Sequence, residues 1–206
     1  MSAAQLFPMF LKLEGRLCLI VGATEELEGK IRGLLAAGAK VLVVATRPNE
    51  GIAALASSGN ISWSLRKFQP EDLEGVTLVV AADEDQAIND LVFSECSLQG
   101  IPCNVVDQPE RCHFYYPAVV RRGALQVAIS TAGRSPALAS TIRAELEQHF
   151  PAEYADWVEV LGTTREHILA TQQKSSQRTR LLQKIASRQR FEQFRRKRQA
   201  GNKGGQ

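Results

Sequence analysis

Residues 17–22, LCLIVG, form an unbroken apolar run that stops at a glycine, and KVLVVA repeats the pattern at residues 40–45. A strand with one face in water would alternate, so unbroken runs of this length read as strands buried on both faces of a parallel sheet. Between them Ile31, Leu34 and Leu35 recur at helical spacing until Gly38 offers a stop. Strand, turn, helix, glycine and strand in that order make a βαβ unit, the opening of a doubly wound α/β fold.

The pattern continues through Asp107, about half of the chain. Residues 61–68, ISWSLRKF, alternate as an outer strand does, PEDLEG supplies a turn, and VTLVVAA is a third buried run. Asp83, Glu84 and Asp85 follow that run and either sit at the ligand crevice or, the simpler reading, cap a helix from Gln86 that carries Ile88, Leu91 and Val92 on one face and ends near Gly100. The next run, IPCNVVD, stops at one carboxylate, Asp107. Open α/β sheets gather ligands at the C-terminal ends of their strands, so Asp107 is either a crevice residue or an ordinary turn aspartate.

The expected nucleotide site is the turn after the first strand. A dinucleotide fingerprint wants three small residues, G-x-G-x-x-G/A, so that backbone can approach a pyrophosphate and helix can pack on strand. Here those places read Gly22, Thr24 and Leu27, and Glu25, Glu26 and Glu28 crowd the helix start, where they would compete with a pyrophosphate. The second strand ends in Ala45, Thr46 and Arg47, without the acid that usually holds the ribose hydroxyls; Arg47 is either a solvated loop residue or a partner for a 2′-phosphate. The candidate nucleotide contacts are Gly22, Ala23, Thr24 and Glu25, with Thr46, Ala82 and Asp83 from the later strand ends.

FPMFLKLEGRLCLIVG at residues 7–22, VVAADEDQAIND, and CNVVDQPERCHFYYPAVVRRGALQVAISTAGRSPALA together resemble the siroheme synthase N-terminal module. The same module is found alone as precorrin-2 dehydrogenase/sirohydrochlorin ferrochelatase. The resemblance covers residues 5–150 and is most specific from Asn104 to Ala139. It implies oxidation of precorrin-2 by NAD, then insertion of ferrous iron into sirohydrochlorin to give siroheme. The family's catalytic aspartate falls on Asp107, a base for the proton lost in oxidation and for the pyrrole protons lost in metallation. Asp107 is also the candidate metal-handling group, with His113 beside it, although a lone histidine near aromatics is more often structural. Thr131, Arg134 and Ser135 match the family's small-residue loop at the tetrapyrrole pocket, and Ser135 before Pro136 also reads as a helix cap. The carboxylate-rich substrate makes Arg111 a candidate clamp, with Arg121, Arg122, Arg134 and Arg143.

The expected architecture is therefore a Rossmann-like NAD-binding domain over 1–113, a homodimer-forming segment over 114–150 that includes the alternating strand ALQVAIS, a helical domain over 151–198 and a disordered tail over 199–206. Trp157, Val160, Leu161, Ile168 and Leu169 are expected to be buried in the helical part. Two further readings stay open: a chelatase that has lost the dinucleotide site, and a non-catalytic tetrapyrrole-binding homologue.

Charge and cysteine content narrow the setting. Residues 1–170 hold 14 Lys and Arg against 21 Asp and Glu, whereas residues 171–206 hold 11 against Glu192 alone. A basic end can meet an acidic partner or nucleic acid, but with only Phe191 and Phe194 interleaved it reads as a solvated helix face, and no nucleic-acid partner is expected. Cys18, Cys96, Cys103 and Cys112 form no CxxC pair, and the apolar runs are too short to span a bilayer. Reduced thiols in a cytoplasmic protein, with no membrane partner, are the simplest expectation.

Overall fold

The computed structural model describes residues 5–47 and 49–203. Contacts divide the chain after Tyr115 into two compact units.

The first unit is an α/β sheet built as the apolar runs require. Its strands are β1 (Leu17–Val21), β2 (Lys40–Ala45), β3 (Ser62–Leu65), β4 (Val76–Ala81) and β5 (Cys103–Val105), all parallel in the order β3-β2-β1-β4-β5. The helices are α1 (Glu25–Ala36), α2 (Glu50–Ser57) and α3 (Gln86–Gln99). Alternate residues of one strand serve opposite faces. Cys18 and Ile20 pack with Leu27, Ile31 and Leu34 of α1 and Ile52 and Leu55 of α2, while Leu19 and Val21 join Val92 and Cys96 of α3. Each large aliphatic side chain withdrawn from water contributes about 1.5–3 kcal/mol, which explains why the middle strand β1 carries no polar residue.

Some elements differ from the sequence expectation. The outer strand β3 is only four residues long, with Leu65 exposed, as an edge position allows. Helix α2 has no strong apolar period; it forms behind Asn49, whose side chain caps the Ile52 amide at 2.9 Å. The strand expected to run to Asp107 ends at Val105, because the chain turns there.

The second unit pairs β6 (Ala118–Arg122) and β7 (Leu125–Ile129) as an antiparallel ladder, with α4 (Pro136–His149), α5 (Tyr154–Thr171), α6 (Ser176–Ile185) and α7 (Arg188–Lys203). Ser135 caps α4 through the Leu138 amide, with Pro136 at the first helical position. Trp157 and Ile168 are buried as expected, but Val160 and Leu169 are exposed and Leu161 is intermediate. The helical period explains the correction: Trp157 and Ile168 lie three turns apart on one stripe, and Leu169 is rotated away from it. The basic end is also more than a solvated face. Phe191 is buried in contact with Tyr154, at a ring separation of 4.0 Å, and Phe194 lies 5.1 Å from Trp157. Helix α7 continues through residues 199–203 of the expected disordered tail, and residues 204–206 lie outside the described residues.

Candidate functional site

At the C-terminal ends of β1, β2 and β4 a cleft of about 200 Å³ opens. Ala23, Thr24, Thr46, Ala82 and Asp83 line it, as expected of nucleotide contacts, together with Ala45, Arg47, Glu84 and Asp85. Gly22 shapes the cleft from behind. Its φ is +104°, and a Cβ there would fall 2.2 Å from the Ala82 carbonyl oxygen, so the ends of β1 and β4 approach as only glycine permits.

The two departures from the fingerprint have structural explanations. Leu27 is buried among Ile31, Leu34 and Ile52, so helix and sheet pack through an aliphatic side chain where the fingerprint has a small one. Thr24 precedes α1 without capping it, and its Oγ1 is buried with no hydrogen-bond partner among the described residues. A buried hydroxyl without a partner and an uncapped helix start together fit an anionic ligand such as a pyrophosphate. The glutamates of the first turn do not line the cleft: Glu26 pairs with Lys30, Glu25 is exposed, and the Glu28 carboxylate lies where a Cβ on Gly51 of α2 would go.

The acidic triplet both caps α3 and walls the cleft. Asp85 accepts from the Ala87 amide at 3.0 Å, and Asp83 accepts from the Asp85 amide at 2.9 Å. Buried Asn89 then holds Asp83 by its backbone, accepting from the amide at 3.0 Å and donating to the carbonyl at 2.8 Å. Sequence reading missed Asn89, although a polar residue among Ile88, Leu91 and Val92 was the available signal. Glu84 has no backbone bond among the described residues and pairs instead with Arg47, across from the end of β2.

Asp107 stands at the same end of the sheet. Ala81 of β4 is in register with Val105 of β5, so Asp83 and Asp107 lie two residues beyond one pair of strand neighbours. Asp107 has φ +61°, a left-handed conformation that aspartate tolerates better than most residues. Its side chain is exposed and has no hydrogen bond or ion pair among the described residues.

The loop carrying Asp107 is stapled at its base. Buried Asn104 donates to the Phe114 carbonyl at 2.8 Å and to Cys112 Sγ at 3.2 Å, and Cys112 Sγ donates to the Val105 and Gln108 carbonyls. Burial pushes the Cys112 thiol pKa up, so it keeps the proton that it donates. His113 Nδ1 accepts from the Cys103 amide at 3.1 Å, and its ring stacks on Phe93 at 5.0 Å. His113 thus joins β5 to α3, and no group of three metal-capable residues occurs among the described residues. A reciprocal amide pair, Gln86 with Gln108 at 3.0 and 2.7 Å, ties the loop to the start of α3. Arg111, a candidate clamp, is held by Asp90 at 2.8 Å.

The remaining candidates belong to the second unit. Thr131 Oγ1 accepts from the Ser135 amide at 3.1 Å, which shapes their loop, and Ala132 within it has φ +52°. Arg134 is exposed, Arg122 closes α4 by donating to the Phe150 carbonyl at 2.6 Å, and Arg143 pairs with Glu147 at 2.5 Å.

Comparison with known proteins agrees with this geometry. Residues 9–118 match the NAD(P)-binding family profile NAD_binding_7, and residues 122–149 match the central region of sirohaem biosynthesis proteins. A siroheme synthase of Neisseria meningitidis serogroup C is 37% identical over 86% of this chain and 37% of its own length. One of Photorhabdus laumondii is 39% identical over 78% of this chain and 34% of its own. The chain thus spans less than half of these relatives. A solved structure, SirC, precorrin-2 dehydrogenase, is 29% identical with a TM-score of 0.75, covering 90% of this chain and 92% of that one.

Proposed function

The chain belongs to the siroheme synthase and precorrin-2 dehydrogenase family, and from that premise we propose that it oxidises precorrin-2 to sirohydrochlorin with NAD and then inserts ferrous iron as the second substrate. The carrying observation is the shared sheet end: a cleft with an unpartnered hydroxyl on Thr24 lies one strand from a free carboxylate on Asp107. NAD, when bound, accepts the hydride of the oxidation. Gly22 would let backbone approach the pyrophosphate, Thr24 Oγ1 and the start of α1 would hold it, and Ala82 and Asp83, the latter fixed by Asn89, would form the wall of its site.

Asp107 takes the proton that leaves the macrocycle as its hydride departs and passes it to solvent; in the second step it takes one of the two pyrrole N–H protons displaced by ferrous iron, the other leaving to water. An exposed carboxylate suits both tasks, because no hydrogen bond or ion pair among the described residues competes for its lone pairs. Thr131, Arg134 and Ser135 are proposed to meet the tetrapyrrole, with the exposed Arg134 guanidinium offered to a propionate or acetate side chain. Residues 114–150 are proposed to form a homodimer; among the described residues the β6 and β7 ladder is two-stranded, which offers edges for pairing. No helix among the described residues is long and apolar enough to cross a membrane.

The test is anaerobic turnover of precorrin-2 with NAD, followed by the absorbance change as sirohydrochlorin takes up ferrous iron. Asp107→Ala is expected to lower both steps by about 100-fold or more while leaving nucleotide affinity unchanged. Undiminished turnover in that variant would overturn the mechanism. If the native chain metallates sirohydrochlorin but binds no dinucleotide, the chelatase reading replaces this one; pigment binding without a metallated spectrum would favour the carrier.

A further inference from the structure

In a dinucleotide fold the adenosine ribose lies at the end of the second strand, where an acid accepts from the 2′-hydroxyl and repels a 2′-phosphate. Here β2 ends in Ala45, followed by Thr46 and Arg47, and all three line the cleft. The repelling acid is therefore missing and a cation stands beside its place.

Arg47 is held by Glu84 from the loop after β4, and the side chains of the pair are 73% and 64% exposed. An ion pair so open to water contributes little and is easily exchanged for another partner. Glu84 differs from its neighbours in this respect, since Asp83 and Asp85 are occupied by backbone amides. The pair thus keeps a guanidinium at the rim of the cleft while masking the one acid there without a backbone bond.

Resting on the dinucleotide reading above, we propose that Arg47 is a specificity-determining residue that exchanges Glu84 for the 2′-phosphate of NADP, so that the cleft takes NADP at least as tightly as NAD. A guanidinium binds phosphate through two parallel hydrogen bonds, which a surface carboxylate pair does not match. Glu84 turns to solvent when Arg47 leaves, and its remaining charge limits the gain.

Calorimetric titration of the full chain with NAD and with NADP, without tetrapyrrole, tests this directly. The native chain is expected to bind NADP as tightly as NAD or more tightly. Arg47→Ala should weaken NADP by about tenfold or more while moving NAD by less than about threefold. Glu84→Gln should tighten NADP and leave NAD in place. A native preference for NAD beyond about tenfold, or equal weakening of both by Arg47→Ala, overturns the role of Arg47 and leaves the dehydrogenase reading standing. Failure of the native chain to bind either nucleotide overturns both.

Discussion

The cleft at β1, β2 and β4 and the Asp107 turn beyond β5 share one end of the sheet, yet they are made in opposite ways. The cleft is shaped by main chain in close contact: Gly22 against the Ala82 carbonyl, and Asp83 held at amide and carbonyl by Asn89. The Asp107 side chain has no partner among the described residues, while the loop around it is fastened at its base through Asn104, Cys112 and His113 and at Gln108 through Gln86. Binding sites for a long ligand need many fixed contacts, whereas a base needs one group in the right place with unoccupied lone pairs. The difference predicts where each region is fragile.

The largest effect belongs to Gly22→Ala. A Cβ 2.2 Å from a carbonyl oxygen, at φ +104°, cannot be absorbed by a side-chain shift. Chemical denaturation should show a loss of about 3 kcal/mol or more, with nucleotide binding abolished. A variant within about 1 kcal/mol of the native chain would break the comparison on the cleft side.

Asn104→Leu comes next, because it leaves the Phe114 carbonyl without its side-chain donor beneath the Asp107 loop. Stability should fall by about 1–3 kcal/mol, and turnover should fall while calorimetric nucleotide affinity holds. An equal loss of nucleotide affinity would mean that the two regions are one mechanical unit. Asp107→Gly sharpens the contrast from the other side: it removes the base but suits the left-handed φ of +61°. Turnover should vanish while stability stays level or rises by no more than about 1 kcal/mol, read by the same denaturation.

The smallest expected effect is an alkaline one. Cys18 lies in β1 beneath the cleft, and burial pushes its thiol up to about 11; burial also raises Cys112 beneath the Asp107 loop. A thiol with a raised folded value contributes stability that is complete below the ordinary value of 9.0 and is lost as pH climbs through the folded one. Denaturation midpoints should therefore decline above pH 9, and Cys18→Val should flatten part of that decline. A flat native profile would show that neither floor titrates.

The sheet was legible because burial on both faces removes polar residues, as in Leu17 to Val21, and because glycines punctuate the turns. Asp107 was legible through a motif, since the long run around it resembles a known family. The adequacy of the cleft was not. Thr24 and Leu27 look like losses when compared with a fingerprint, and only their surroundings show that one is an aliphatic packing contact and the other an unpartnered hydroxyl. The cross-chain partners Gln86 with Gln108 and Arg47 with Glu84 involve residues of unremarkable type, and nothing local in the sequence pairs them. The stripe on α5 was half legible, because a list of apolar residues carries no phase until a partner helix arrives.

That partner, α7, has a consequence for proteolysis. Trimming by a carboxypeptidase should be tolerated while it removes exposed residues such as Gln199 and Ala200, because no aromatic contact is lost there. Once digestion passes Phe194 and reaches Phe191, Tyr154 and Trp157 lose their cover together. Degradation should then advance abruptly through the helices, leaving a resistant fragment whose C-terminal boundary falls near the end of the parallel sheet.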